Sequence, residues 1–136
     1  MEIGSLVQRD ILTVGPGLSI GEAARRMTAR NVGSAIVMMD DGHPGIITER
    51  DLLRAMAEKA DPDDTPVESY MTANAITASP SWGVLQAAEK MSEGGFRRLL
   101  VYDDQGGIDG ILSIRDLMDA MLEEANKREA RGMEQR

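Results

Sequence analysis

Two stretches of the chain carry the groups best suited to chemistry, GIITERD at residues 45–51 and GILSIRD at residues 110–116. In each, a hydroxyl stands three residues ahead of an aspartate, Thr48 before Asp51 and Ser113 before Asp116, behind a glycine and an apolar pair. At a strand-to-helix junction the hydroxyl can cap the helix while the carboxylate returns to the cap, an aspartate version of the capping box, and an acid in the first turn also suits the helix dipole. The same atoms suit a nucleotide. A helix start offers amide donors and the positive end of the dipole to an anion, the hydroxyl can bond phosphate, and a carboxylate just inside the helix can accept both hydroxyls of a ribose. Capping would explain one such junction. Two of them, with the glycine, the apolar pair and an arginine (Arg50, Arg115) all repeated, leave the choice of the whole segment unexplained.

A second cluster, GFRRLLV at 95–101, puts Arg97 and Arg98 at the mouth of an apolar strand. Guanidinium groups there can fork onto a phosphate or simply solvate a strand end. The equivalent positions earlier in the chain are Gly33 and Ser34, so only one of two related sites carries the cations.

The elements that must position these residues repeat as well. At an offset of 64, Ser5, Thr13, Pro16, Ala23, Ala24, Met27 and Val37 meet Ser69, Thr77, Pro80, Ala87, Ala88, Met91 and Val101. Past Gly106 and Gly107 the offset becomes 65, a one-residue insertion of the kind turns tolerate. Apolar residues at helical spacing predict helices over 19–29 and 81–93, with Ser19 and Ser81 as caps and the two Ala-Ala-x-x-Met faces in the core. Short strands ending at proline are expected over 11–16 and 75–80, longer ones over 34–39, 45–48, 99–102 and 110–113, and further helices over 49–59 and from 114 to about 127. Each copy reads strand, helix, strand, strand, helix, an α/β (α+β) chain. The boundaries are 1–59 for the first repeat, 60–66 for an Asp- and Pro-bearing linker, 67–127 for the second repeat and 128–136 for a charged tail in which the last helix frays.

At 136 residues the chain has room for one compact domain, and the two copies are expected to share a core. The absence of Cys removes disulfides and thiolate chemistry, and the single His43, a turn residue, cannot build a histidine cluster. A net charge of -8 argues against wrapping DNA or RNA. No leader or apolar run of spanning length is read, which points to the cytoplasm and away from a membrane. No nucleophile and base arrangement, paired-glutamate spacing or Walker-type loop is present, so nucleotide hydrolysis is disfavoured and no enzyme is expected.

With these residues in view, the chain resembles a tandem pair of cystathionine beta-synthase (CBS) domains, a Bateman module. The resemblance rests on VESYMT at 67–72, the apolar-Thr-x-x-Pro segments at Thr13 and Thr77, the two Ala-Ala helices, the RRLLVYD strand and both junctions. Val7 stands where the family often has Met. The resemblance implies two CBS repeats packed as a pseudo-twofold intramolecular pair, with clefts that take AMP, ADP, ATP or S-adenosylmethionine as regulatory ligand, and no required cofactor. Carried over by position, one cleft would combine Thr48 and Asp51 with Thr77, Arg97 and Arg98, and the other Ser113 and Asp116 with Thr13, Gly33 and Ser34. The aspartates would bind ribose, and the hydroxyls and arginines phosphate. It also implies a regulatory sensor, commonly a homodimer, that signals to an effector protein. The alternative is a ligand-independent interaction or scaffold subunit.

Overall fold

A computed structural model describes residues 1–134. The order of elements is β1 (Thr13–Val14), α1 (Ile20–Arg30), β2 (Ser34–Met38), β3 (Pro44–Thr48) and α2 (Glu49–Ala57), then β4 (Thr77–Ala78), α3 (Val84–Gly94), β5 (Arg98–Tyr102), β6 (Ile108–Ser113) and α4 (Ile114–Glu134). The described residues form a mixed α/β protein with four α-helices and two three-stranded sheets, β1-β2-β3 and β4-β5-β6. In each sheet the first pair of strands is parallel and the second antiparallel. The residue inserted near Gly106 is absorbed locally: the pairing of β5 with β6 slips between Val101 and Tyr102, and Gly106 turns the chain at φ 84°.

Ser19 caps α1 as expected, its hydroxyl accepting from the Glu22 amide at 3.2 Å. Glu22 in turn takes Arg25 and Arg26, and these hydrogen bonds hold its carboxyl below the usual range. Ser81 does not cap α3. Its amide is spent on the Ser79 hydroxyl, and the helix begins after Gly83, with the Val84 amide bonded to the Met1 carbonyl at 3.2 Å. Ala23, Met27, Ala87 and Met91 are buried, whereas Ala24 and Ala88 are only half-buried. In the linker, Asp61 accepts from the Asp63 amide and shapes the turn, while His43 is exposed beside Asp41.

The last helix corrects the expected tail. α4 continues to Glu134 because residues 128–134 contain no proline and are mostly good helix formers, and because Glu123 and Lys127 pair across one turn at 3.5 Å. Gly132 costs helix stability there without ending the helix.

The compact units cut across the sequence repeats. One unit joins Met1–Arg9 to the chain from Ile76 onward, and the other is Asp10–Ala75. In the first, Ile3 and Val7 belong to the core with Ala78, Ala87, Met91, Leu99 and Leu112, and Gln8 pairs with Ile111 along the free edge of β6. In the second, Val67 lies in the core with Leu12, Ile20, Ile47 and Ala55, and Thr72 pairs with Ile46 along the free edge of β3. Each repeat's opening segment thus covers the sheet of the other repeat, which removes an exposed edge from both sheets. Glycine makes that close approach possible: a Cβ on Gly45 would sit 2.9 Å from the Thr72 carbonyl, and one on Gly110 would collide with Gln8 and Val7.

Candidate functional site

In the Asp10–Ala75 unit the junction residues meet at one end of the sheet. Extended backbone at Thr48 ends β3 and starts α2, and the capping box is complete. The Thr48 hydroxyl accepts from the Asp51 amide at 3.3 Å and donates to Asp51 Oδ2 at 3.1 Å, while the Thr48 amide donates to the same oxygen at 2.8 Å. Ser34 is the register partner of Thr48, and the carbonyl of Gly33 takes the Glu49 amide at 3.0 Å. Thr13, on β1, pairs with Ile36 two residues farther along β2. The Asp51 side chain keeps 19% of its surface exposed.

The other unit repeats this arrangement with different neighbours. Ser113 Oγ accepts from the Asp116 amide at 3.2 Å and donates to Asp116 Oδ2 at 2.9 Å. Arg98 is the register partner of Ser113, and the Arg97 carbonyl takes the Ile114 amide at 2.8 Å. Thr77 pairs with Leu100, two residues along β5, and its Oγ1 accepts from the Tyr102 hydroxyl at 3.0 Å. The structure therefore gathers the candidates into two groups by unit: Thr13, Ser34, Thr48 and Asp51 with Gly33, and Thr77, Arg97, Arg98, Ser113 and Asp116.

One expectation changes. The starts of α2 and α4 do not present open rows of amides, because the first amide is bonded to the residue just before the neighbouring strand, Gly33 or Arg97, and the third to the capping hydroxyl. An anion here must rely more on hydroxyls and guanidinium groups than on the helix end.

Sequence reasoning also missed side chains that surround Asp51. Arg54 Nη2 lies 3.6 Å from Asp51 Oδ1, donates to the Tyr70 carbonyl at 3.0 Å, and its guanidinium carbon stands 5.3 Å from the centre of the Tyr70 ring. A hydrogen bond with the Glu58 carboxylate pushes the Tyr70 phenol above the ordinary tyrosine range. The three-residue spacing of Asp51 and Arg54 on one helix face was a readable signal. The approach of Tyr70 was not. Tyr102 was likewise missed, since only the pairing of β4 with β5 brings it to Thr77.

Family comparison decides what this duplicated arrangement is. The CBS domain model matches residues 3–58 and again residues 67–123. The chain belongs to the CBS domain family. A CBS domain protein of Pyrobaculum aerophilum, solved in complex with AMP, is 31% identical with a TM-score of 0.75, over 85% of this chain and 89% of that one. The CBS domain pair of protein MJ0100, solved with 5'-methylthioadenosine and S-adenosyl-L-methionine, is 26% identical with a TM-score of 0.79, over 91% and 98% of the two chains. An uncharacterized 17.7 kDa protein of Acidianus ambivalens is 35% identical over 90% of this chain and 74% of its own length. Other curated relatives are longer, and the chain spans 61%, 41% and 26% of three of them, the last a homoserine O-acetyltransferase of Methanohalophilus mahii. CBS pairs thus occur both as small proteins and within larger enzymes. No described helix is long and apolar enough to cross a membrane.

Proposed function

We propose that this CBS pair is a non-catalytic sensor of an adenosine-type ligand, with Asp51 and Asp116 binding ribose and with Thr48, Ser113, Arg97 and Arg98 contributing to phosphate binding. Thr13, Ser34 and Thr77 complete the polar lining. The observation that carries this reading is the half-buried carboxylate of Asp51, which uses one oxygen to close its own helix and leaves the other outside the capping bonds, 3.6 Å from Arg54. Two CBS relatives solved with AMP, and with 5'-methylthioadenosine and S-adenosylmethionine, support the ligand class. A cytoplasmic homodimer that passes a ligand-dependent change to an effector protein completes the proposal. Only a difference in ligand affinity between two conformations can drive such a signal.

Isothermal titration with AMP, ATP and S-adenosylmethionine, on the wild type, Asp51→Ala and Asp116→Ala, tests it. Saturable binding that is lost in one or both variants is the expected result. The capping bonds at both aspartates favour a second reading, a ligand-independent interaction module in which these residues only start helices. Absence of heat with every probe, while both variants lose only stability, would establish that reading instead.

A further inference from the structure

Asp51 has one oxygen committed and one left. Oδ2 takes both the amide and the hydroxyl of Thr48, so any ligand hydroxyl must use Oδ1. Arg54 forms an ion pair with that oxygen at 3.6 Å, longer than the ~3.2 Å at which an N–H to oxygen hydrogen bond closes. Nothing in the length of an arginine prevents closure across one helical turn, and a carboxylate this shielded should attract it strongly. Tyr70 engages the same guanidinium group. The same Nη2 is bonded to the Tyr70 carbonyl, and the guanidinium carbon lies over the Tyr70 ring, 5.3 Å from its centre. Tyr70 is itself fixed. It is half-buried against the core of its unit, and Thr72 two residues on is paired to β3. In the other copy, Asp119 occupies the position of Arg54 and Leu6 that of Tyr70, so the arrangement belongs to one junction alone.

We propose that Tyr70 holds the Arg54 guanidinium off Oδ1 of Asp51, keeping that oxygen free for the ribose of an adenosine-type ligand. Arg54 and Tyr70 are then positioning residues. The inference rests on the sensor reading above and adds a dependence that capping alone does not create. Without the ring, only the bond to the residue-70 carbonyl restrains Arg54, which then closes on Asp51 more readily and competes with the ligand; without Arg54, the ring no longer matters.

The test is a double-mutant cycle read as AMP affinity by calorimetry, with Tyr70→Leu chosen because leucine serves at the equivalent position. Tyr70→Leu should weaken AMP binding about tenfold, a coupling typical of side chains in contact, and adding Arg54→Met should bring it back to within about threefold of Arg54→Met alone. A merely structural role for Tyr70 predicts no such rescue. Wild-type affinity in Tyr70→Leu, or a double variant as weak as Tyr70→Leu, overturns the inference and leaves the sensor reading intact. Failure of the wild type to bind any adenosine compound overturns the sensor reading and this inference with it. An independent check on the wild type is the Arg54 Nε–H signal in nuclear magnetic resonance. It should remain shifted by the Tyr70 ring when AMP saturates the protein, and loss of that shift on binding counts against the proposal.

Discussion

At the ends of β3 and β6 the chain makes the same turn twice and surrounds it differently. Thr48 and Asp51 close a complete capping box and face Arg54, which is held on Tyr70. Ser113 and Asp116 share the hydroxyl bonds but have Arg97 and Arg98 at the facing strand end, and Asp119 where the first copy has Arg54. The strand positions differ as well: Thr77 is tied to Tyr102, whereas the counterpart of Tyr102 beside Thr13 is Met38. The lesson is that duplication preserved the backbone device, a hydroxyl and a carboxylate starting a helix, and left the neighbouring charges free to diverge. Two junctions that read alike are therefore different electrostatic sites.

The largest break in this symmetry should come from the glycines that open each junction. Gly110→Ala drives a Cβ into Gln8 and Val7 and should cost about 2–4 kcal/mol, whereas Gly45→Ala meets the Thr72 carbonyl less severely and should cost about half as much. Chemical denaturation of the two variants side by side measures the difference. Equal costs would mean that the two opening segments are held equally loosely.

Next come the aspartates. Asp51→Ala removes bonds to both the amide and the hydroxyl of Thr48 and should cost about 1–2 kcal/mol, more than Asp116→Ala at about 1 kcal/mol. Thermal melts would rank them, and the reverse order would mean that the two caps are not graded by their bonds. A smaller effect is expected from Tyr102→Phe, which deletes an exposed hydroxyl bond to Thr77 worth about 0.5 kcal/mol and should make Thr77 resemble Thr13. A change in stability above that level would assign Tyr102 a further contact.

The smallest effect is one of pH. Bonding to Glu58 favours the protonated phenol, so Tyr70 ionises later in the folded chain than in the unfolded one. Its contribution to stability is whole below the ordinary tyrosine value and is lost as pH rises through the raised folded value. Ultraviolet difference titration of wild type against Glu58→Gln reads this directly, and an unchanged Tyr70 transition in the variant would remove Glu58 as the cause.

Much of the fold was legible in local patterns. Apolar runs and helical spacing placed every long strand and the four described α-helices to within a few residues, except for the far end of α4, and Ser19 and Thr48 cap as their positions suggested. Ser81 misled because the helix starts two residues later, with Gly83 at the cap, and the Ser81 hydroxyl is engaged with that of Ser79; the charged tail misled because a chain rich in helix formers extends an existing helix at little cost. At the site, the hydroxyls, aspartates and arginines were readable by type and spacing. Tyr70 and Tyr102 were not, since each reaches its partner from a separate part of the chain.

By itself the sequence determined the repeat, the order of elements in each copy and the capped junctions, because those follow from interactions spanning three or four residues and from hydrophobic periodicity. Only the tertiary structure decided that residues 1–9 cover the sheet of the second repeat and residues 67–75 that of the first, and that Tyr70 comes to rest against Arg54. Those choices depend on which sheet edge and which apolar surface remain open once the local elements have formed, and a contact between distant segments leaves no periodic trace in either of them.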